Sequence, residues 1–132
     1  MRTHLSATGP ADPDAVWDAY RRPARWPEWA PQITGVHCTD EVIRVGTSGR
    51  VTGPLWVSVG FEVTAVDEVA RTWSWQVSAP CGIRLTLDHG VDWAGHAGEP
   101  TGTRTGLTID GPAVIVLGYR PVAGRALRRL VR

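Results

Sequence analysis

The chain has no lysine and no asparagine in 132 residues, so all fourteen of its basic residues are arginine. With Ala, Gly, Pro and Val also abundant, that bias points to a GC-rich coding genome rather than to a function. A net charge of +1 lacks the strong field that nucleic acid or anionic lipid partners require, and no nucleic-acid partner is expected. No run of eighteen apolar residues occurs, so no membrane span is expected. Met1 to His4 leads straight into alternating sequence without the apolar stretch of a signal peptide, and the expected address is the cytoplasm. Cys38 and Cys81 are the only cysteines. They form no Cys-x-x-Cys or zinc spacing, and a reduced, partly buried pair is expected rather than a disulfide. His4, His37, His89 and His96 are scattered, without a metal-ligand pattern, and no metal or cofactor is expected.

What remains is a soluble composition, 42% hydrophobic and 20% charged, over a length that fits one domain spanning residues 1–132. Residues 2–8 alternate and read as a strand, ended by Gly9-Pro10. Asp12-Pro13 then opens a helix: Asp12 can accept from free backbone N–H groups, and Pro13 at the first position forfeits no bond. Ala15, Val16, Ala19 and Tyr20, with Trp17 beside them, give that helix one apolar stripe. Asp14 and Asp18 near its start and Arg21 and Arg22 at its end suit its dipole. Pro23, Pro27 and Pro31 cut the next segment into short turns, with Trp26 and Trp29 three residues apart.

Alternation then dominates. Residues 33–38, 41–52 and 55–66 read as strands, the last with Val57, Val59, Phe61, Val63 and Ala65 on one face. Trp73, Trp75 and Val77 alternate with Thr72, Ser74 and Gln76. Ile83, Leu85, Leu87, His89, Val91 and Trp93 alternate with Arg84, Thr86, Asp88, Gly90 and Asp92. Residues 94–102 read as a polar hairpin loop, after which Thr105, Leu107 and Ile109 close an antiparallel meander. Residues 112–131 are helical, with Leu117, Leu127, Leu130 and Val131 among the apolar positions. Pro121 predicts a kink or break near Gly118.

This order resembles the START-like or Bet v 1-like superfamily, and within it the small bacterial polyketide cyclase/dehydrase-like group. The stretches that carry the resemblance are "ADPDAVW" in the first helix, "ARWPEWAP" at the corner, "ARTWSW" and "LDHGVDW" in strands, and "GTRTGLTIDG" before the last helix. Together they span nearly the whole chain. The resemblance implies an α+β helix-grip fold: a curved antiparallel sheet wrapped around a long C-terminal helix, with a short helical pair after the first strand. It also implies a cavity between sheet and helix for apolar or amphipathic molecules. Some members cyclise or dehydrate polyketides, and others carry or sense lipids, hormones or sterols. The chain is short for that family.

Seven tryptophans are present. Trp73, Trp75 and Trp93 share the apolar strand parity, as do Phe61, Leu87 and Val91. Each either fills the core or lines the cavity wall and stacks on a ligand. Trp26 and Trp29 either pin the corner or line the cavity mouth. His89, between Leu87 and Val91 on the inward parity, could act as a base or bond a ligand carbonyl, or be a core histidine satisfied by backbone. Tyr20 and Tyr119, on the two helices, could donate to a ligand or simply pack. Arg120, Arg125, Arg128, Arg129 and Arg132 complement the dipole of the last helix and give solubility. The expected partner is a hydrophobic small molecule, on a monomer or homodimer. Two functions stand nearly level: a non-catalytic binding or carrier module, and a cyclase, aromatase or dehydratase using His89, Tyr20 and Tyr119. A third is an interaction module with a filled cavity.

Overall fold

The computed structural model describes residues 1–54, 57–94 and 102–132. Among the described residues, seven strands form one antiparallel sheet: β1 (Arg2–Gly9), β2 (Gly35–Cys38), β3 (Ser48–Thr52), β4 (Ser58–Asp67), β5 (Thr72–Ala79), β6 (Ile83–Trp93) and β7 (Thr103–Asp110). Strands β2 to β7 form the expected meander, and β1 adds itself to the far side of β7, giving the order β1-β7-β6-β5-β4-β3-β2. Between β1 and β2 lie helix α1 (Pro13–Arg21), a 3₁₀ turn and the short helix α2 (Trp26–Trp29). Helix α3 (Ala113–Leu130) closes the inner face. This is the helix-grip arrangement that the sequence implies.

The Trp-Pro-Glu-Trp corner exists because it terminates α1. The last carbonyls of a helix lack partners within it. Here the indole N–H of Trp29 donates to the Ala19 carbonyl at 3.4 Å and that of Trp26 to the Tyr20 carbonyl at 3.0 Å, while the Ile43 backbone N–H takes the Arg21 carbonyl at 2.9 Å. Outside, Asp18 joins Arg22 and Arg25, each at 3.1 Å. The hydrogen bond from Arg22 leads in holding the Asp18 carboxyl below its usual range. These pairs are partly exposed and contribute little singly. Their effect is to fix the corner so that both indoles enter the core. At the other end, Glu68 in the β4–β5 turn accepts from Trp17 at 2.7 Å and from Arg21 at 3.1 Å, tying α1 across the sheet.

Several boundaries differ from the sequence reading. Asp12 makes no side-chain cap; its backbone carbonyl receives Val16 N–H at 3.0 Å instead. The strand expected over 41–52 begins only at Ser48, because Ile43 is drawn down onto the end of α1. In β4 the register with β5 shifts between Val63 and Ala65. That bulge turns Ala65 outward and sets Val66 opposite Trp73. Val57 is exposed, outside the sheet's cover. Residues 55–56 and most of the expected 94–102 loop, including His96, lie outside the described residues. Cys38 is half-buried and Cys81 exposed, and both are free.

Helix α3 runs through Pro121 without a break. Pro121 and Leu117 both face solvent, so the carbonyl that loses its partner can be hydrated. The C-terminal end of α3 is held tightly. Ala11 N–H donates to the Val131 carbonyl at 3.1 Å, and a Cβ on Gly9 would stand 2.1 Å from that oxygen. Glycine at position 9 lets the end of β1 touch the end of α3.

Candidate functional site

The inner face of the sheet carries a continuous aromatic stack. Trp73 is parallel to His89, with centroids 4.6 Å apart and planes 9° from parallel. Trp75 lies 5.4 Å from Trp73 and Trp26 lies 5.6 Å from it. Tyr20 meets His89 at 5.0 Å and Trp29 at 5.3 Å, and Phe61 closes the far side against Trp75 at 5.6 Å. Burial of this much ring surface supplies much of the hydrophobic stabilisation of so small a domain.

Between this stack and α3 remains a hollow of about 20 Å³, room for roughly one water molecule. Five of the residues singled out from sequence border it: Trp29, Trp75, Leu87, His89 and Tyr119. The others do not. Trp26, Phe61, Trp73 and Val91 are buried behind it as core. Tyr20 is also core. Thr105 donates to the Gly90 carbonyl at 2.9 Å, so the Tyr20 hydroxyl, 2.5 Å from Thr105 Oγ1, donates to it. Its proton is directed away from the hollow, and burial raises its ionisation well above the usual value. Trp93 is 56% exposed at the end of β6. Its parity is inward, but no element covers that end of the strand among the described residues.

The polar groups at the hollow are few. His89 Nε2 lies 3.1 Å from Trp75 Nε1, while its Nδ1 is buried without a partner among the described residues. Burial pushes the imidazole down to about 3, so it is neutral at physiological pH. Gln32 donates from Nε2 to the Tyr119 hydroxyl at 3.1 Å, and its Oε1 is buried without a partner among the described residues. Burial raises the Tyr119 phenol, which stays protonated.

Sequence reasoning missed Gln32, Ile33, Ala123 and Ala126, all of which border the hollow. Gln32 and Ile33 sit in the proline-cut corner, which has no periodicity to read. On α3 the signal was phase rather than hydrophobicity. Tyr119, Ala123, Ala126, Leu127 and Leu130 form one helical face, whereas Leu117 is 54% exposed.

Roomier hollows lie on the opposite face of the sheet. One of about 450 Å³ surrounds Gly90 and Gly106, and one of about 490 Å³ surrounds Gly60. Both are shallow and lined by polar side chains such as Ser74, Asp88, Arg50 and Glu62. No group of three metal-ligating side chains occurs among the described residues.

A curved antiparallel sheet gripping a C-terminal helix, with an apolar hollow between them, defines a helix-grip container. Residues 2–132 match the family described as "Polyketide cyclase / dehydrase and lipid transport", and the chain belongs to that family, within the START/Bet v 1-like superfamily. Solved structures that share the fold include the following three. A protein of Nitrosospira multiformis has 15% identity and a TM-score of 0.80, over 99% of this chain and 94% of that one. XoxI of Bacillus cereus has 14% identity and a TM-score of 0.78, over 98% and 92%. Ara h 8.0201 has 14% identity and a TM-score of 0.72, over 98% and 94%. At such identities the likeness concerns the fold alone. No curated protein sequence matches the chain.

Proposed function

We propose that this protein binds a hydrophobic small molecule with a few polar groups in the hollow between the sheet and α3. The observation that carries this reading is that two residues bordering one apolar hollow each hold a buried polar atom without a partner among the described residues, His89 Nδ1 and Gln32 Oε1. Each such group costs roughly 1–3 kcal/mol when buried unbonded. A core built only for stability would use apolar side chains at both positions. A ligand with matching polar atoms restores the missing bonds.

The hollow of about 20 Å³ is far smaller than the several hundred Å³ of a typical ligand pocket. Binding therefore moves side chains or α3 to widen it. Ala123 and Ala126 leave little side chain to displace on that wall. The family match supports the same reading, and its polyketide-cyclase members extend it to catalysis. In that version the substrate would reach His89 and Tyr119 together.

A second reading, an interaction module with a filled interior, is favoured by the small hollow and by Val114 (81% exposed) and Leu117 on the outer side of α3. The test is titration with naphthalene and anthracene derivatives, read by tryptophan fluorescence and thermal shift, on the wild type and Ala123→Phe. Ligand binding in the hollow raises Tm and quenches Trp29 and Trp75, and the phenyl group of Ala123→Phe abolishes both effects. No shift with any ligand, or equal shifts in the filled variant, would overturn the proposal in favour of the interaction module.

A further inference from the structure

The indole N–H of Trp75 is a donor and cannot accept. It lies 3.1 Å from His89 Nε2, so Nε2 must present its lone pair. The one ring proton of the neutral imidazole then resides on Nδ1, the ring's buried nitrogen without a partner among the described residues, in a side chain that borders the hollow. The alternative tautomer would set two N–H groups against each other inside the core. The ring cannot easily turn to escape this choice. It is stacked on Trp73 within 9° of parallel and flanked by Tyr20. Trp75 and His89 face the same side on adjacent, paired strands, with Trp75 opposite Leu87 and His89 opposite Trp73. They are diagonal neighbours of one rigid ladder.

We infer that Trp75 is a positioning residue that fixes His89 as the Nδ1–H tautomer, making His89 a hydrogen-bond donor of the hollow and selecting ligands that place a carbonyl or enolate oxygen beside it. The inference rests on the binding site proposed above and deepens it by naming the ligand atom. It also assigns His89 a role. In this tautomer Nδ1 has no lone pair to take a proton, so the imidazole polarises an oxygen and does not act as the base.

Two measurements test this. The first needs no ligand: nitrogen-detected NMR of the His89 ring at neutral pH. The expected result is a protonated Nδ1 and a bare Nε2 in the wild type, with Trp75→Phe releasing the preference toward Nε2–H. A wild-type ring protonated at Nε2 would overturn the inference. The second compares 2-acetylnaphthalene with 2-ethylnaphthalene, which differ by the carbonyl oxygen. The wild type should bind the ketone about tenfold more tightly, the span of one net hydrogen bond. Trp75→Phe should reduce that ratio toward one while leaving the hydrocarbon within about twofold. If Trp75→Phe fails to fold, His89→Phe serves instead, because it removes the donor and keeps the indole. Equal affinities for the two probes in the wild type would overturn the inference while leaving the site intact. Binding of neither probe overturns the binding site itself, and the ring-nitrogen measurement still decides the tautomer.

Discussion

Acidification from pH 7 to pH 5 should weaken the fold through His89. In the native protein, burial holds its imidazole down to about 3. In the unfolded chain it returns to about 6.5. Between those values the unfolded state binds a proton that the native state does not, so stability falls as pH falls through that window. At pH 5 the loss from this residue is about 2 kcal/mol, which for a domain of this size lowers Tm by roughly 5–10 °C. The groups facing His89 do not mask the effect. Tyr20 and Tyr119 are raised and stay neutral, and Asp88 lies on the outer face, bonded to Ser74 at 2.5 Å. Asp18 and Asp40 are lowered from 3.8. Their contribution is complete above the ordinary carboxylate value and is lost only as pH falls below it, outside this window. The assay is urea unfolding at pH 5, 6 and 7 of the wild type and His89→Gln. Glutamine can still accept from Trp75 but does not titrate, so the variant should lose about 2 kcal/mol less between pH 7 and pH 5. Equal losses in the two proteins would refute the assignment of a buried, neutral His89.

Four further outcomes follow from the packing, all read by denaturant midpoint. Trp26→Phe removes the bond to the Tyr20 carbonyl and ring volume from the stack, and should cost about 2–3 kcal/mol. Tyr20→Phe should cost only about 1 kcal/mol, because Thr105 keeps its bond to the Gly90 carbonyl. Gly9→Ala drives a Cβ against the Val131 carbonyl and should destabilise by more than about 2 kcal/mol. Pro121→Ala restores a backbone donor on the exposed side of α3 and should stabilise by about 1 kcal/mol or more.

The fold was legible because its signals were local. Alternation over 72–77, 83–93 and 103–110 carries strand identity directly, and the Asp-Pro opening of α1 carries its start. Alternation was less informative where another element intervened. Ile43 left its expected strand to bond the end of α1, and the bulge after Val63 inverted the parity of Ala65. The site was half legible for a related reason. Parity names the side of a sheet but not what stands opposite it. His89 and Trp93 share a parity, yet α3 and the corner cover only the first. Ala123 and Ala126 carry almost no hydrophobic signal of their own and matter because they are small. Gln32 is visible only once the corner is folded, when its amide meets Tyr119 from the other end of the chain. The size of the hollow depends on how seven aromatic and imidazole rings pack together, which no spacing rule encodes.

The most direct test of the account is a set of intermolecular NOEs between 2-acetylnaphthalene and the methyl groups of the protein. A ligand in the hollow gives contacts from the naphthyl protons to Ala123, Ala126, Leu87 and Leu107, and from the acetyl methyl to the His89 ring. Contacts confined to Val114 and Leu117 on the outer side of α3, or none at all, would contradict a ligand site between the sheet and the helix.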